Sequence, residues 1–225
     1  MKYTWLLFDA DDTLFDFSKA ESNALKWTLE QSGLPFRQEF IQLYAGFNQQ
    51  VWQEFEQGRL TSQELRVKRF KLFLENADLQ GDIHLISQIY LRNLGLGTDL
   101  LDGANDLIHN LKQRYRVALV TNGLKDVQDP RLQGSTLRDC FEHVFISEVI
   151  GAAKPTRQFF EAVFDILHQP AREEVLIIGD SLSSDIKGGI DFGIDTCWYN
   201  PRGKSTNLAV TYQITRLREL LDILD

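Results

Sequence analysis

Short runs of apolar, strand-favouring residues recur at 4–8, 117–121, 144–146, 175–178 and 196–199, each bounded by polar or turn-forming positions. Between most of them the apolar positions return with a helical period. That alternation predicts βαβ units and a parallel sheet. The long interval from Phe15 to Gly97 departs from it, because no strand pattern occurs there. It reads instead as roughly four helices, 18–32, 36–57, 62–76 and 83–93, separated by Gly33-Leu34-Pro35, Gly58-Arg59-Leu60-Thr61 and Gln80-Gly81. An insertion of about 80 helical residues is far longer than an ordinary crossover. It is therefore read as a domain of its own, residues 16–97, with 1–15 and 98–225 forming the sheet domain. Both of its linkers lie at the carboxyl edge of the sheet, so the insertion is expected to sit over that edge.

The polar residues that follow two of the apolar runs are unusual. Trp5-Leu6-Leu7-Phe8 leads directly into Asp9-Ala10-Asp11-Asp12-Thr13, and Val175-Leu176-Ile177-Ile178 into Gly179-Asp180-Ser181-Leu182-Ser183-Ser184-Asp185. Carboxylates crowded at a strand end repel one another and lose hydration, so the arrangement makes physical sense if a cation neutralises them. Ligands of open α/β sheets bind at the carboxyl ends of the strands. Two such junctions imply one shared site.

Composition narrows the classes. The 225 residues carry 24 Lys+Arg against 32 Asp+Glu, a net charge of −8, with no basic block, so a nucleic acid polymer is not an expected partner. The two cysteines, Cys140 and Cys197, are too few for a disulfide framework, and the four histidines show no metal-ligand spacing. No signal-peptide core and no membrane-length apolar run is present, so the expected location is the cytoplasm, away from the membrane.

With these features the chain resembles the haloacid-dehalogenase superfamily, in the class with a helical cap inserted after the first motif. The motifs lie in order: Asp9-x-Asp11-x-Thr13, then Val120-Thr121-Asn122-Gly123, then Lys154-Pro155, then Gly179-Asp180 with Asp185. The resemblance implies a Rossmann-like parallel-sheet core with an inserted α-helical cap, and a magnesium-dependent phosphatase. In such an enzyme Asp9 attacks phosphorus to give an aspartyl-phosphate, and Asp11 protonates the leaving oxygen and then activates water. Thr121 and the Asn122 backbone N–H hold phosphoryl oxygens, and Lys154 adds positive charge. Magnesium is held by Asp9, Asp180 and the Asp11 carbonyl, with Asp185 acting through water. Asp11 also favours phosphatase over dehalogenase, because a departing halide needs no proton.

Finer detail is similar to the bacterial YjjG-type pyrimidine 5′-nucleotidases: Leu7 to Phe15, Asn48 with Trp52, Gly58, Thr61-Ser62, Arg69-Phe70, and Thr196 to Asn200. That likeness implies pyrimidine nucleoside monophosphates as substrates, with Asn48 on a pyrimidine edge, Trp52 stacking on the ring and Arg69 beside them, in a monomer or homodimer. The alternatives are a phosphatase for another small metabolite, such as phosphoglycolate or a sugar phosphate, and a non-enzymatic regulator that accepts phosphoryl groups on Asp9. Asp129-Pro130 is expected to interrupt the helix after Asn122. Gly188-Gly189 is read as close packing, and Gly193 as a helix stop.

Overall fold

The structure, a computed structural model, describes residues 2–224. Its strands are β1 (Trp5–Phe8), β2 (Arg116–Thr121), β3 (His143–Ile146), β4 (Val175–Gly179), β5 (Asp195–Tyr199) and β6 (Tyr212–Ile214). Among the described residues they form one sheet in the order β3-β2-β1-β4-β5-β6, with every neighbouring pair parallel. β1 is therefore central, with Phe8 in register with Leu119 of β2 and Ile178 of β4. Its four residues are all buried because both faces of the sheet are covered. Leu6 and Phe8 pack with α5 (Ala104–Leu111) and α10 (Glu219–Leu224). Trp5 and Leu7 pack with α8 (Arg157–Ile166) and with Phe192 at the end of α9 (Lys187–Phe192). The β6 strand was absent from the sequence expectation, since three residues are too few to establish an alternation.

The chain divides into two compact units. The sheet unit is Met1–Asp16, Asp99–Lys125 and Leu132–Asp225, and the helical unit is Phe17–Thr98 with Asp126–Arg131. The helical unit contains α1 (Phe17–Gln31), α2 (Glu39–Glu56), α3 (Ser62–Asn76) and α4 (Ile83–Gly95). Its centre is aromatic: the Tyr44, Phe70 and Tyr90 rings lie 5.0–5.2 Å apart. Thr61 and Glu64 close a reciprocal capping box at the start of α3. Among the described residues no helix is long and apolar enough to cross a membrane.

Two local readings from sequence are settled by packing. Pro130 does not interrupt its helix: α6 runs Lys125–Gly134 with the proline inside it. Room for the ring comes from Gly95 of α4, where a Cβ would lie 2.8 Å from the Pro130 ring. That contact, with the Arg131 guanidinium donating to the Leu94 carbonyl at 3.3 Å, is why 126–131 groups with the helical unit. Gly188 and Gly189 are packing glycines, with side chains of Phe160, Ile177 and Thr196 within 2.9 Å of where a Cβ would stand. Gly193 ends α9 at φ 87°.

Candidate active site

At the carboxyl end of β1 the chain turns sharply. The Leu14 and Phe15 N–H groups both donate to the Ala10 carbonyl, and Asp12 takes the left-handed conformation at φ 58°. Asp12 is thus a residue of the turn itself, Asp9 stands just before the turn at the end of β1, and Asp11 lies within it.

Asp9 is 8% exposed, and its Oδ1 accepts a hydrogen bond of 2.7 Å from Lys154 Nζ. The same ammonium donates to Asp185 Oδ1 at 2.6 Å and to the Val120 carbonyl at 2.7 Å. An ammonium has three hydrogens, so these acceptors saturate it. Lys154 therefore contributes charge and fixes two carboxylates, and its donors are spent within the protein. Its loop is held by Asn122, whose Nδ2 donates to the Lys154 carbonyl and whose Oδ1 accepts from the Lys154 N–H, both at 2.8 Å. The Asn122 side chain thus builds the site, and any contact it makes with a phosphoryl group falls to its backbone. Thr121, buried at the end of β2, accepts from the Gly123 N–H at 2.9 Å through Oγ1 and keeps its own hydroxyl proton for donation.

Asp180 and Asp185 complete the cluster. Carboxylate oxygens of Asp9, Asp180 and Asp185 lie within 4.8 Å of one another. Three carboxylates against one ammonium leave two negative charges, the charge of one divalent cation. The donors are all oxygen, which suits a small hard cation rather than a thiophilic one. A π-helical turn, Leu182–Ile186, delivers Asp185 back to the strand end. Its Oδ2 accepts from the Ser181 N–H at 3.1 Å, so both oxygens carry protein donors. Gly179 makes this approach possible, since a Cβ there would sit 2.2 Å from Asp185 Oδ2.

Burial pushes Asp9 well above the usual carboxylate range; Lys154 pulls it down, and Asp185 and Asp180 push it up again. Burial, then the charges of Asp185 and Asp12, raises Asp180 to about 7. Burial alone would lower Lys154, but its two carboxylate partners outweigh this and hold it above its ordinary value. The cluster is electrostatically loaded, with carboxylate repulsion that the single ammonium only partly offsets.

Sequence reasoning missed the supports of Asp180. Thr13 Oγ1 accepts from the Asp180 N–H at 3.0 Å and donates to its Oδ1 at 3.4 Å, and Trp198 Nε1 donates to the Asp180 carbonyl at 2.9 Å. Thr13 had been seen only as part of a motif, and nothing in Trp198's own pattern marks a hydrogen bond to another strand's end. In the helical unit, Asn48 and Arg69 are buried, and Trp52 is half-buried with its ring edge-on to Phe55 at 5.5 Å. Asn48 has both ends of its amide engaged: Nδ2 donates to Glu21 Oε1 at 2.7 Å, and Oδ1 accepts from Arg69 Nη1 at 3.2 Å. The amide assigned from sequence to a pyrimidine edge is thus tied into the unit's own network.

Residues 3–193 match the haloacid dehalogenase-like hydrolase family. The chain belongs to that family. It is 42% identical to the HAD-hydrolase YfnB of Bacillus subtilis over 100% of this chain and 96% of that protein. It is 37% identical to the pyrimidine 5′-nucleotidase PynA of Streptococcus pneumoniae, over 100% and 96%. Against the pyrimidine 5′-nucleotidase YjjG of Escherichia coli it is 31% identical, over 100% and 99%. The crystal structure of YfnB bound to magnesium superposes with a TM-score of 0.94 at 41% identity, covering 100% of both chains. The parallel-sheet core with surrounding helices is therefore the hydrolase fold that the ordered motifs implied.

Proposed function

We propose that this hydrolase is a magnesium-dependent phosphatase that cleaves pyrimidine nucleoside 5′-monophosphates through an aspartyl-phosphate on Asp9. The observation that carries the reading is the placement of Asp9: a buried carboxylate at the end of the central strand, oriented by Lys154, within 4.8 Å of Asp180 and Asp185. A nucleophile must be fixed and ionised before it can attack in line, and Lys154 serves both needs.

An Asp9 oxygen forms a bond to phosphorus as the bond to the ester oxygen breaks, and Asp11 gives that oxygen its proton. Asp11 then takes a proton from water, which attacks the aspartyl-phosphate and returns Asp9 with release of phosphate. Thr121 donates its hydroxyl proton, and Asn122 its backbone N–H, to the equatorial oxygens. The Asp9 and Asp180 carboxylates and the Asp11 carbonyl would hold magnesium, which would supply positive charge toward the phosphoryl oxygens and offset the carboxylate repulsion. Asp185, with both oxygens already bonded within the protein, fits a part played through water.

The names of PynA and YjjG at 37% and 31% identity support the pyrimidine nucleotide as substrate. The test is a panel of phosphorylated metabolites assayed for phosphate release with magnesium. Uridine and thymidine monophosphates should lead it. Stronger turnover of phosphoglycolate or sugar phosphates would move the protein to a different substrate class, and a stable aspartyl-phosphate without turnover would make it a phospho-acceptor.

The electrostatics give a separate expectation. A carboxyl raised from 3.8 in the unfolded chain to about 7 when folded stabilises the fold in its protonated form, and that contribution is lost as pH rises between those values. The melting temperature of metal-free protein should thus fall between about pH 4 and about pH 7, and magnesium should restore it above that range. Asp180→Asn should flatten the fall and raise the metal-free melting temperature at pH 8. A metal-free curve equally steep in the wild type and in that variant would show that Asp180 does not carry the stored repulsion.

A further inference from the structure

The reacting group of a phosphomonoester is a dianion, and the place it must reach is acidic. Asp9, Asp180 and Asp185 outnumber the one ammonium among them, whose three hydrogens are already taken. The chain as a whole carries a net charge of −8. Capture of the ester therefore calls for cations at the carboxyl edge of the sheet that are not spent on the protein's own acids. At the starts of α8 and α9 they are spent: Arg157 pairs with Glu161 at 2.7 Å and Lys187 with Asp191 at 2.6 Å.

The segment that leaves β5 is different. Asn200-Pro201-Arg202-Gly203-Lys204 opens a stretch, residues 200–214, that holds two cations and no acid. Because the strands are parallel it emerges at the same edge as Asp9 and Asp180, and Trp198 is in register with Gly179. The root of the loop therefore lies about one strand spacing, roughly 5 Å, from the chain at Asp180, and the Trp198 hydrogen bond to the Asp180 carbonyl joins the two ends. Asn200 is 2% exposed and spends both ends of its amide on one residue: Nδ2 donates to the Lys204 carbonyl at 2.8 Å, and Oδ1 accepts from the Lys204 N–H at 2.9 Å. Gly203, left-handed at φ 61°, donates its N–H to the Asn200 carbonyl at 3.1 Å. This clamp folds the loop back on its root and keeps Lys204 beside the strand end. Arg202 and Lys204 are exposed, and among the described residues neither side chain has an ion pair or a hydrogen bond. Burial raises the neighbouring Tyr199 hydroxyl, and the charges of Asp102, Asp180 and Asp12 raise it further, so the field of the acids reaches the root of the loop.

We propose that Arg202 and Lys204 are the capture site for the phosphoryl dianion, drawing it to the carboxylate cluster from a loop that Asn200 holds at the strand edge. This rests on the phosphatase reading above and adds the residues that govern encounter. Their charges act through space, over the roughly 10 Å that 0.1 M salt leaves unscreened. The same charges must oppose the other ion of the reaction. Two cations that attract a dianion also repel magnesium from the neighbouring carboxylates, and this opposition of signs separates capture from a merely structural loop.

The test measures kcat/KM for p-nitrophenyl phosphate with saturating magnesium at several ionic strengths, beside calorimetric titration of magnesium into metal-free protein. That ester carries no base, so base recognition does not enter. In the double variant Arg202→Gln with Lys204→Gln, kcat/KM at low salt should fall by about 10-fold, the lower end of the range for electrostatic steering, with the loss appearing in KM. Its dependence on salt should flatten, since the charges that salt screens are gone. Magnesium should bind that variant about 2- to 5-fold more tightly at low salt. The exchange Arg202→Lys with Lys204→Arg keeps both charges and should restore the efficiency. Asn200→Ala, which frees the loop with both charges in place, should lose less than the double variant and keep the wild-type salt slope. A salt dependence equally steep in the wild type and the double variant would overturn the proposal while leaving the phosphatase in place. So would magnesium binding that weakens together with kcat, which would make the loop a support of Asp180. A wild type that releases phosphate from no phosphomonoester would remove the phosphatase reading, and this proposal with it.

Discussion

Asp9→Asn is expected to reduce phosphate release by at least about 10⁴-fold, because it removes the atom that forms the covalent intermediate rather than a group that eases its formation. Asparagine keeps the shape and can still accept from Lys154, so the chain should fold. It should melt no lower than the wild type in the absence of metal, since one of three mutually repelling carboxylates has become neutral. Asp11→Asn should cost about 10²–10⁴-fold, the usual size of an acid–base contribution. The order of these losses is the informative part. Single-turnover assays with both variants, beside thermal melts, decide it: substantial release from folded Asp9→Asn would mean that water is activated directly and no aspartyl-phosphate forms.

Lys154→Met should damage stability and chemistry together. The ammonium is 1% exposed and bridges Asp9 and Asp185. Methionine fills much of the space, but breaking a buried ion pair by removing one partner costs about 3–5 kcal/mol. The penalty should be largest near neutral pH and shrink in acid, because burial already pushes Asp9 towards its protonated form and loss of the lysine removes what opposes it. Activity should fall even at temperatures where the variant is folded, since a protonated Asp9 is no nucleophile. Denaturant unfolding at two pH values is the measurement; a stability loss of the same size at both would show that packing, rather than charge, is what Lys154 supplies.

The parts of the site that were legible in the sequence are those set by strand ends. Asp9, Thr121 and Asp180 each follow or close an apolar run, so parallel alignment of β1, β2 and β4 brings them together. What was not legible depends on direction and burial. Lys154 could be seen as a cation beside carboxylates, but not as one whose hydrogens are all taken. Glu21 sits between Lys19 and Ser22 in a stretch that reads as a solvated face. Its burial stripe, with Ala24, Leu25 and Thr28, carries the helical period that could have placed it inside. Pro130 failed as a helix breaker because the room for its ring lies on α4, well away in sequence.

The central place of β1 also governs the order in which the molecule can come together. Trp5 pairs with Arg116 and with Val175, so the strand bearing the nucleophile waits for partners made much later in synthesis. The helices encoded between β1 and β2 find their main partners among themselves, α1 packing chiefly on α4, so their contacts are more local than those of β1 with β4. A nascent chain thus has the residues of these four helices before it has a sheet to anchor Asp9. The cluster of Asp9, Lys154 and Asp185 closes only after β4 and the π-helical turn have been made. Catalytic competence is consequently a late event, and shortened chains that end before Asp185 should be inert whatever structure they retain.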